Sequence, residues 1–195
     1  PKPLVTVKDR PILDYTLEKI KEFGISKIII NLNYLGGHIK SYLKSRKDFH
    51  ITFSEESELL DTGGGVKYAR PLLGDDPFLL INGDALWEDD AERSALETLH
   101  DFWNPDIMDM LLLLYPVSAM ITPGCGDYDI NDQNKAIRNK DKSGSYMFTG
   151  LRLCKPELID PFPKGSFSFL EVMDAVEKNG TLYGAIYKGC WYHIS

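Results

Sequence analysis

Asp84 closes the run Phe78-Leu79-Leu80-Ile81-Asn82-Gly83-Asp84, an apolar strand followed by a polar turn, and so puts one carboxylate at the rim of a sheet. A carboxylate there can hold a divalent cation, and an Asp in such a turn can equally cap the next bend. Lys2 stands between Pro1 and Pro3, which fix the backbone around a point cation suited to phosphate, although an isolated Lys also serves as solvated surface. In Asp61-Thr62-Gly63-Gly64-Gly65 a strand and loop hand over to a helix, and the missing side chains would let backbone N–H groups approach a ligand. Three glycines also make a flexible turn, and their spacing is neither a Walker loop nor a dinucleotide fingerprint. His193 follows the last predicted strand, while His38, His50 and His100 share no ligand spacing and read as structural or exposed. With no Gly-x-Ser-x-Gly elbow, His-Glu-x-x-His motif or Cys–His pairing, covalent acyl chemistry and zinc hydrolysis lack support.

These residues need a frame. Pro11 starts a helix over 12–23 that Gly24 ends, and the apolar run of 25–32 predicts a central parallel strand buried on both faces. A short helix at 38–46, a strand at 51–53, a helix at 64–70 stopped by Pro71 and a buried strand at 77–81 follow. Then come a helix over 88–103 and a strand over 108–115. The alternation predicts an α/β fold, Rossmann-like, with an open, mixed but mostly parallel sheet flanked by helices. Short strands at 127–130, 135–138 and 146–153 predict a small antiparallel excursion, before a helix at 169–178 and a last strand at 182–187. With no repeat and no linker, one domain spanning 1–195 is expected.

Composition narrows the partners. The chain of 195 residues carries 22 Lys and Arg against 29 Asp and Glu, a formal charge of −7, without a basic cluster, which argues against nucleic acid. No apolar run approaches the ~18 residues of a membrane span. Cys125, Cys154 and Cys190 are too scattered for a disulfide framework or a metal knuckle, which fits a reducing, cytoplasmic setting.

Pro1-Lys2-Pro3-Leu4, Pro11-Ile12-Leu13, Leu60-Asp61-Thr62-Gly63-Gly64-Gly65, the run from Phe78 to Asp84, Gly126-Asp127-Tyr128 and Phe148-Thr149-Gly150 follow one another in an order that resembles the sugar-1-phosphate nucleotidyltransferases. Over essentially the whole length the likeness is greatest to the N-acetylmuramate-1-phosphate uridylyltransferase branch, with the mannose-1-phosphate guanylyltransferases as neighbours. The resemblance implies that Lys2 contacts the nucleotide phosphates, that Thr62, Gly63 and Gly64 read the base, and that Asn82 touches substrate. It also implies that Asp84 binds Mg²⁺, and that Asp127 and Gly150 lie on the sugar side. Two departures stand out. The family's glycine-rich loop with its arginine, and the first strand, are expected before Pro1, and His193 stands where an Asp commonly provides the second metal position.

The implied reaction joins UTP and a sugar 1-phosphate, with Mg²⁺, or Mn²⁺ if His193 is a ligand. A phosphate monoester, with a second pKa of about 6, is already anionic at neutral pH, so no strong general base is called for. Alternatives are guanylyl or other nucleotidyl transfer, or a subunit that senses nucleotide without turnover. Monomer and homodimer both remain open.

Overall fold

The structure, a computed structural model, describes residues 1–121 and 124–192. After a single 3₁₀ turn at Lys2–Leu4, a small hairpin of β1 (Thr6–Val7) and β2 (Arg10–Pro11) leads into α1 (Ile12–Glu22). Next come β3 (Lys27–Leu32), α2 (Gly36–Leu43), β4 (His50–Glu55), α3 (Asp61–Leu73), β5 (Phe78–Ile81) and β6 (Leu86–Glu88). They are followed by α4 (Ala95–Phe102), β7 (Met110–Pro116), β8 (Tyr128–Ile130), β9 (Ala136–Arg138) and β10 (Tyr146–Cys154). The chain then adds α5 (Phe169–Lys178), β11 (Leu182–Ile186) and β12 (Cys190–Tyr192). No helix among the described residues is long and apolar enough to cross a membrane.

Local chemistry accounts for the helices. In α1, Ile12, Thr16, Leu17 and Ile20 form one buried stripe, and Gly24, at φ +91°, turns the chain out of the helix. Helices α4 and α5 each begin with a full capping box, Ser94 with Glu97 and Ser168 with Glu171, which satisfies two of the N–H groups a helix start leaves open. The helix expected over 88–103 is therefore shorter. Asp89 accepts from Ala95 N, and Asp90 accepts from the backbone of Glu92 and Arg93, so residues 89–94 are held as a turn ahead of the cap.

The α/β class read from the sequence holds, and the sheet is mixed. Its core runs β11-β7-β10, with β5 on the other edge of β10 and the β8–β9 hairpin at its start. Strands β7 and β11 are parallel, and β10 is antiparallel to β5, β7 and β8. The segment expected as a minor antiparallel strand at 146–153 is thus the central one, because Thr149 to Arg152 and Cys154 are buried between neighbours and helices. The β8–β9 hairpin is the antiparallel excursion.

Among the described residues the strand expected at the centre, β3, pairs only with β4. Its other edge lines a cavity of about 1160 Å³ bounded across from it by β5, with Leu13, Leu17 and Ile20 of α1 on one side and Val66, Ala69 and Leu72 of α3 on the other. Ile28, Ile29 and Ile30 are only half-buried for this reason, although their pattern is that of a fully covered strand.

Buried and exposed strand positions should respond differently to truncation. Leu112 of β7 is fully buried, so Leu112→Ala should cost about 2–5 kcal/mol in denaturant unfolding, whereas Ile137→Ala, exposed on β9, should cost less than half of that. Equal losses would contradict the burial of β7.

Candidate functional site

The site is assembled at the carboxyl end of β5. Asn82 N donates to Gly150 O at 2.9 Å, and Ala85 N to Asn82 O at 3.1 Å, which bends the chain sharply after the strand and presents Gly83 and Asp84 to the cavity. Gly150, at φ +88°, sits in a bulge of β10 where the register with β7 shifts, and a Cβ there would lie 3.1 Å from Asn82 Cβ. Gly83 has its own reason: a Cβ would meet Pro3 Cγ at 3.1 Å, so its absence lets the Lys2-Pro3 turn lie across the strand end. Lys2 Nζ consequently faces Asp84 Oδ2 at 3.7 Å, with side chains 65 % and 36 % exposed. A pair so loose and so wet contributes little to stability, and its members are free to take other partners.

At the start of α3 the structure changes the reading of the glycines. Gly63 N and Gly64 N both donate to Phe167 O, at 3.0 and 3.1 Å, so these N–H groups are occupied within the protein. A Cβ on Gly63 would strike the Phe167 ring, and one on Gly64 would strike Gly165 O. Their lack of side chains serves close packing against residues 165–167. The helix begins at Asp61, before the glycines, and runs through Pro71, which removes one backbone donor, to end two residues later at Leu73. Thr62 Oγ1 accepts from Phe169 N at 3.0 Å, and Asp61 takes a left-handed φ of +57° with its carboxylate accepting from Thr62 N. Asp61 and Thr62 line the cavity; Gly63 and Gly64 stand behind them.

The structure adds residues that the sequence did not single out. Glu56 and Asn31, at the carboxyl ends of β4 and β3, converge on the third glycine: Glu56 Oε1 and Asn31 Nδ2 lie 2.5 and 2.8 Å from where a Gly65 Cβ would be. Burial pushes the Glu56 carboxyl above its ordinary range, and Leu60 N, donating at 3.4 Å, offsets this only in part. A carboxylate held beside a cavity against that cost is a candidate for a functional position. Arg152 of β10 reaches the same cavity. Neither has a motif around it, and a lone Glu or a strand Arg reads as surface.

Of the expected site residues, Lys2, Thr62, Asn82 and Asp84 share the cavity, with Gly150 packed behind Asn82. Asp127 does not join them: its backbone is bonded to Tyr146 O and Asn139 N in the β8 hairpin, and it is not among the cavity's lining residues. His193 lies outside the described residues. The described chain leads toward the site, since Tyr192 pairs with Leu86, two residues beyond Asp84. Among the described residues no group of three His, Cys, Asp or Glu side chains gathers to hold a metal.

A lysine and a carboxylate facing each other lie at the carboxyl edge of an α/β sheet, where proteins of this class bind their ligands. The chain belongs to the nucleotidyl transferase family, whose model matches residues 1–125. It is 29 % identical over 205 residues to the N-acetylmuramate alpha-1-phosphate uridylyltransferase of Caulobacter vibrioides, covering 100 % of this chain and 83 % of that protein. To a probable mannose-1-phosphate guanylyltransferase of Oryza sativa subsp. japonica it is 35 % identical over 208 residues, 100 % of this chain and 55 % of that one. HddC from Yersinia pseudotuberculosis, complexed with GMP-PN, superimposes with a TM-score of 0.78 at 22 % identity, over 98 % of this chain and 83 % of its own, and shares the fold.

Two variants probe the turn. Gly64→Ala should cost about 1–3 kcal/mol by overpacking against Gly165, while Gly37→Ala, with open space around it, should not destabilise; similar melting shifts would contradict the packing role. Because the folded pKa of Glu56 is raised, its protonated form is the one favoured by folding, and that contribution is lost as pH rises through the raised value. Glu56→Gln should therefore raise the melting temperature at neutral pH, with the gain shrinking on acidification. A gain that grows toward low pH would reverse the assignment.

Proposed function

We propose that the chain transfers a uridylyl group from UTP to a sugar 1-phosphate, N-acetylmuramate 1-phosphate in peptidoglycan recycling, forming UDP-sugar and pyrophosphate. The observation that carries this reading is the Lys2–Asp84 pair at the cavity mouth, 3.7 Å apart and exposed. A phosphate oxygen of the sugar 1-phosphate attacks the α-phosphorus of UTP, the bond to the β-phosphate oxygen breaks, and pyrophosphate leaves from the opposite side. The attacking oxygen already bears its charge, so the barrier lies in charge crowding and alignment. Lys2 offers a cation to non-reacting or leaving oxygens, and Asp84 is the residue suited to Mg²⁺.

A single half-exposed carboxylate fits Mg²⁺, which is commonly held by one or two carboxylates and completes its shell with water and substrate phosphates. Bound there, the ion would neutralise charge that develops on the transferring group. Similarity to the N-acetylmuramate alpha-1-phosphate uridylyltransferase of Caulobacter vibrioides supports the sugar, and Thr62 with Asp61, presented by the anchored glycines, supports the base-reading turn. Gly150 acts through Asn82, and Asp127 and His193 remain assigned by resemblance alone. Guanylyl transfer is the second reading, and Glu56 favours it: a carboxylate matches the two adjacent donors of a guanine edge, whereas uracil offers one donor between two acceptors.

Pyrophosphate release from UTP or GTP, paired with N-acetylmuramate 1-phosphate or mannose 1-phosphate, separates the readings in the whole protein. Asp84→Asn should lower kcat more than about tenfold, ~1.4 kcal/mol of barrier, and Lys2→Met should weaken nucleotide handling, with melting temperatures nearly unchanged because both side chains are exposed. An Asp84→Asn enzyme that keeps most of its kcat would sink the assignment.

A further inference from the structure

Trp191 is 7 % exposed, and its indole makes a bond that packing alone does not require. Nε1 donates to Thr149 O at 3.0 Å, inside the protein. Trp87 stands opposite it where β12 pairs with β6, in the same apolar core and 2 % exposed, yet Trp87 Nε1 has no hydrogen-bond partner among the described residues. An indole can therefore sit in this core with its N–H unpaired. The N–H of Trp191 is aimed instead at the bulge of β10, and the Tyr115 ring, its centroid 6.0 Å away, packs beside it.

What the bond holds is a peptide plane. Thr149 O and Gly150 N belong to one planar unit, and the φ of Gly150, +88°, is the rotation about the bond by which the chain leaves that plane. Fixing Thr149 O therefore fixes the plane from which Gly150 O is aimed at Asn82 N, 2.9 Å away. Glycine has no Cβ to resist rotation, so the restraint has to come from outside the residue. Thr149 supplies part of it through its hydroxyl, which donates to Leu113 O at 2.8 Å, and Trp191 supplies the rest. Trp191 also acts at the other end of the same bend: its backbone pairs with Trp87, and that of Tyr192 with Leu86, directly after Asp84 and Ala85. One residue thus grips both the entry and the exit of Asn82-Gly83-Asp84-Ala85.

We propose that Trp191 is a positioning residue: through Thr149 O and the pairing with β6 it holds the bend after β5, so that the Asp84 carboxylate meets a divalent cation already in place. This rests on the reading of Asp84 given above and deepens it. A cation held by one carboxylate, water and substrate oxygens takes its orientation from the protein through that carboxylate alone. Disorder in the bend would then weaken the cation and slow the transfer together.

Three variants of the whole protein separate the bond from the packing. Trp191→Phe keeps an aromatic ring and loses the donor. Trp191→His keeps a ring N–H where the five-membered ring of the indole has its own, and loses the fused six-membered ring. Trp87→Phe removes the N–H that has no partner. With no ligand present, and at about pH 8 where an imidazole is neutral, Asn82 N should exchange its hydrogen at least about tenfold faster in Trp191→Phe, and within about threefold of wild type in the other two. The reference is Gly184 N, which donates to Asn134 O away from the site and reports general loosening. Mn²⁺, followed by the EPR signal of the free ion, should bind at least about threefold more weakly, and kcat for pyrophosphate release should fall at least about fivefold, in Trp191→Phe alone. Trp191→His, which gives up more buried apolar surface, should nonetheless melt below Trp191→Phe, so that stability and function rank in opposite order. Unchanged exchange at Asn82 in Trp191→Phe, faster exchange with unchanged Mn²⁺ binding, or an equal loss in Trp191→His would overturn the proposal. If either Trp191 variant fails to fold, the other decides by its own exchange rate. A wild type that binds Mn²⁺ but releases no pyrophosphate from any nucleotide and sugar phosphate pair would overturn the uridylyl-transfer reading, and exchange with Mn²⁺ binding would still decide this proposal.

Discussion

Strand β10 has to satisfy the backbone of two neighbours at once while delivering the chain to a ligand edge, and the site follows from how it does so. It runs antiparallel between β5 and β7, with Leu151 to Cys154 in register with β5 and, from Arg152 on, with β7 as well. Continued without a break, that regular pairing would carry β10 past the end of β5 with no room for the Asn82-Gly83-Asp84 bend. The bulge at Gly150 resolves the conflict: the φ of +88° frees its carbonyl to receive Asn82 N, and the missing Cβ lets Asn82 pack on it. Thr149 secures the bulge, its hydroxyl donating to Leu113 O and its carbonyl accepting from Trp191 Nε1. The end of the described chain is thereby tied to the strand that shapes the site.

The same economy explains the two glycine clusters. Gly83 is small so that Pro3 can lie over it, and Gly63 and Gly64 are small so that the 165–167 segment can press against the start of α3. In each case a segment remote in sequence is brought onto a turn, and the residue beside the glycine, Asp84 or Thr62, is left facing the cavity. Glycine here fixes side-chain direction through packing, a different use from opening backbone N–H groups to a ligand.

That distinction marks where the sequence was legible. Helical stripes, strand lengths and the polar turn after Phe78–Ile81 are local properties, and the structure realises them, whereas the approach of Lys2 to Asp84 is added by the fold. The position of a strand within the sheet is not local: the apolar pattern of 25–32 and that of 146–153 could each be central, and long-range pairing decided for the second. Gly63 and Gly64 look alike whether they face a ligand or Phe167. Glu56 and Arg152 were invisible because a charged residue in a strand or loop defaults to solvent, and only the tertiary fold brings them to the cavity, Glu56 half-buried and Arg152 buried.

Buried charge is therefore the most informative feature that the fold adds. Several half-buried charges elsewhere are matched: Lys19 meets Asp89 at 2.7 Å, Arg138 meets Asp174 at 2.6 Å, and Lys155 meets Asp109 at 2.8 Å. Each of these ties two elements together, and each pair offsets its own desolvation. Glu56 and Arg152 border one cavity, carry opposite signs, and pair with neither each other nor a third charged residue among those described. Stability alone would replace both, Arg152 by an apolar side chain and Glu56 by an amide. Their retention is a cost in stability at the cavity wall, yet Glu177, raised by burial in the same way and outside that wall, shows that such a cost does not by itself mark a ligand.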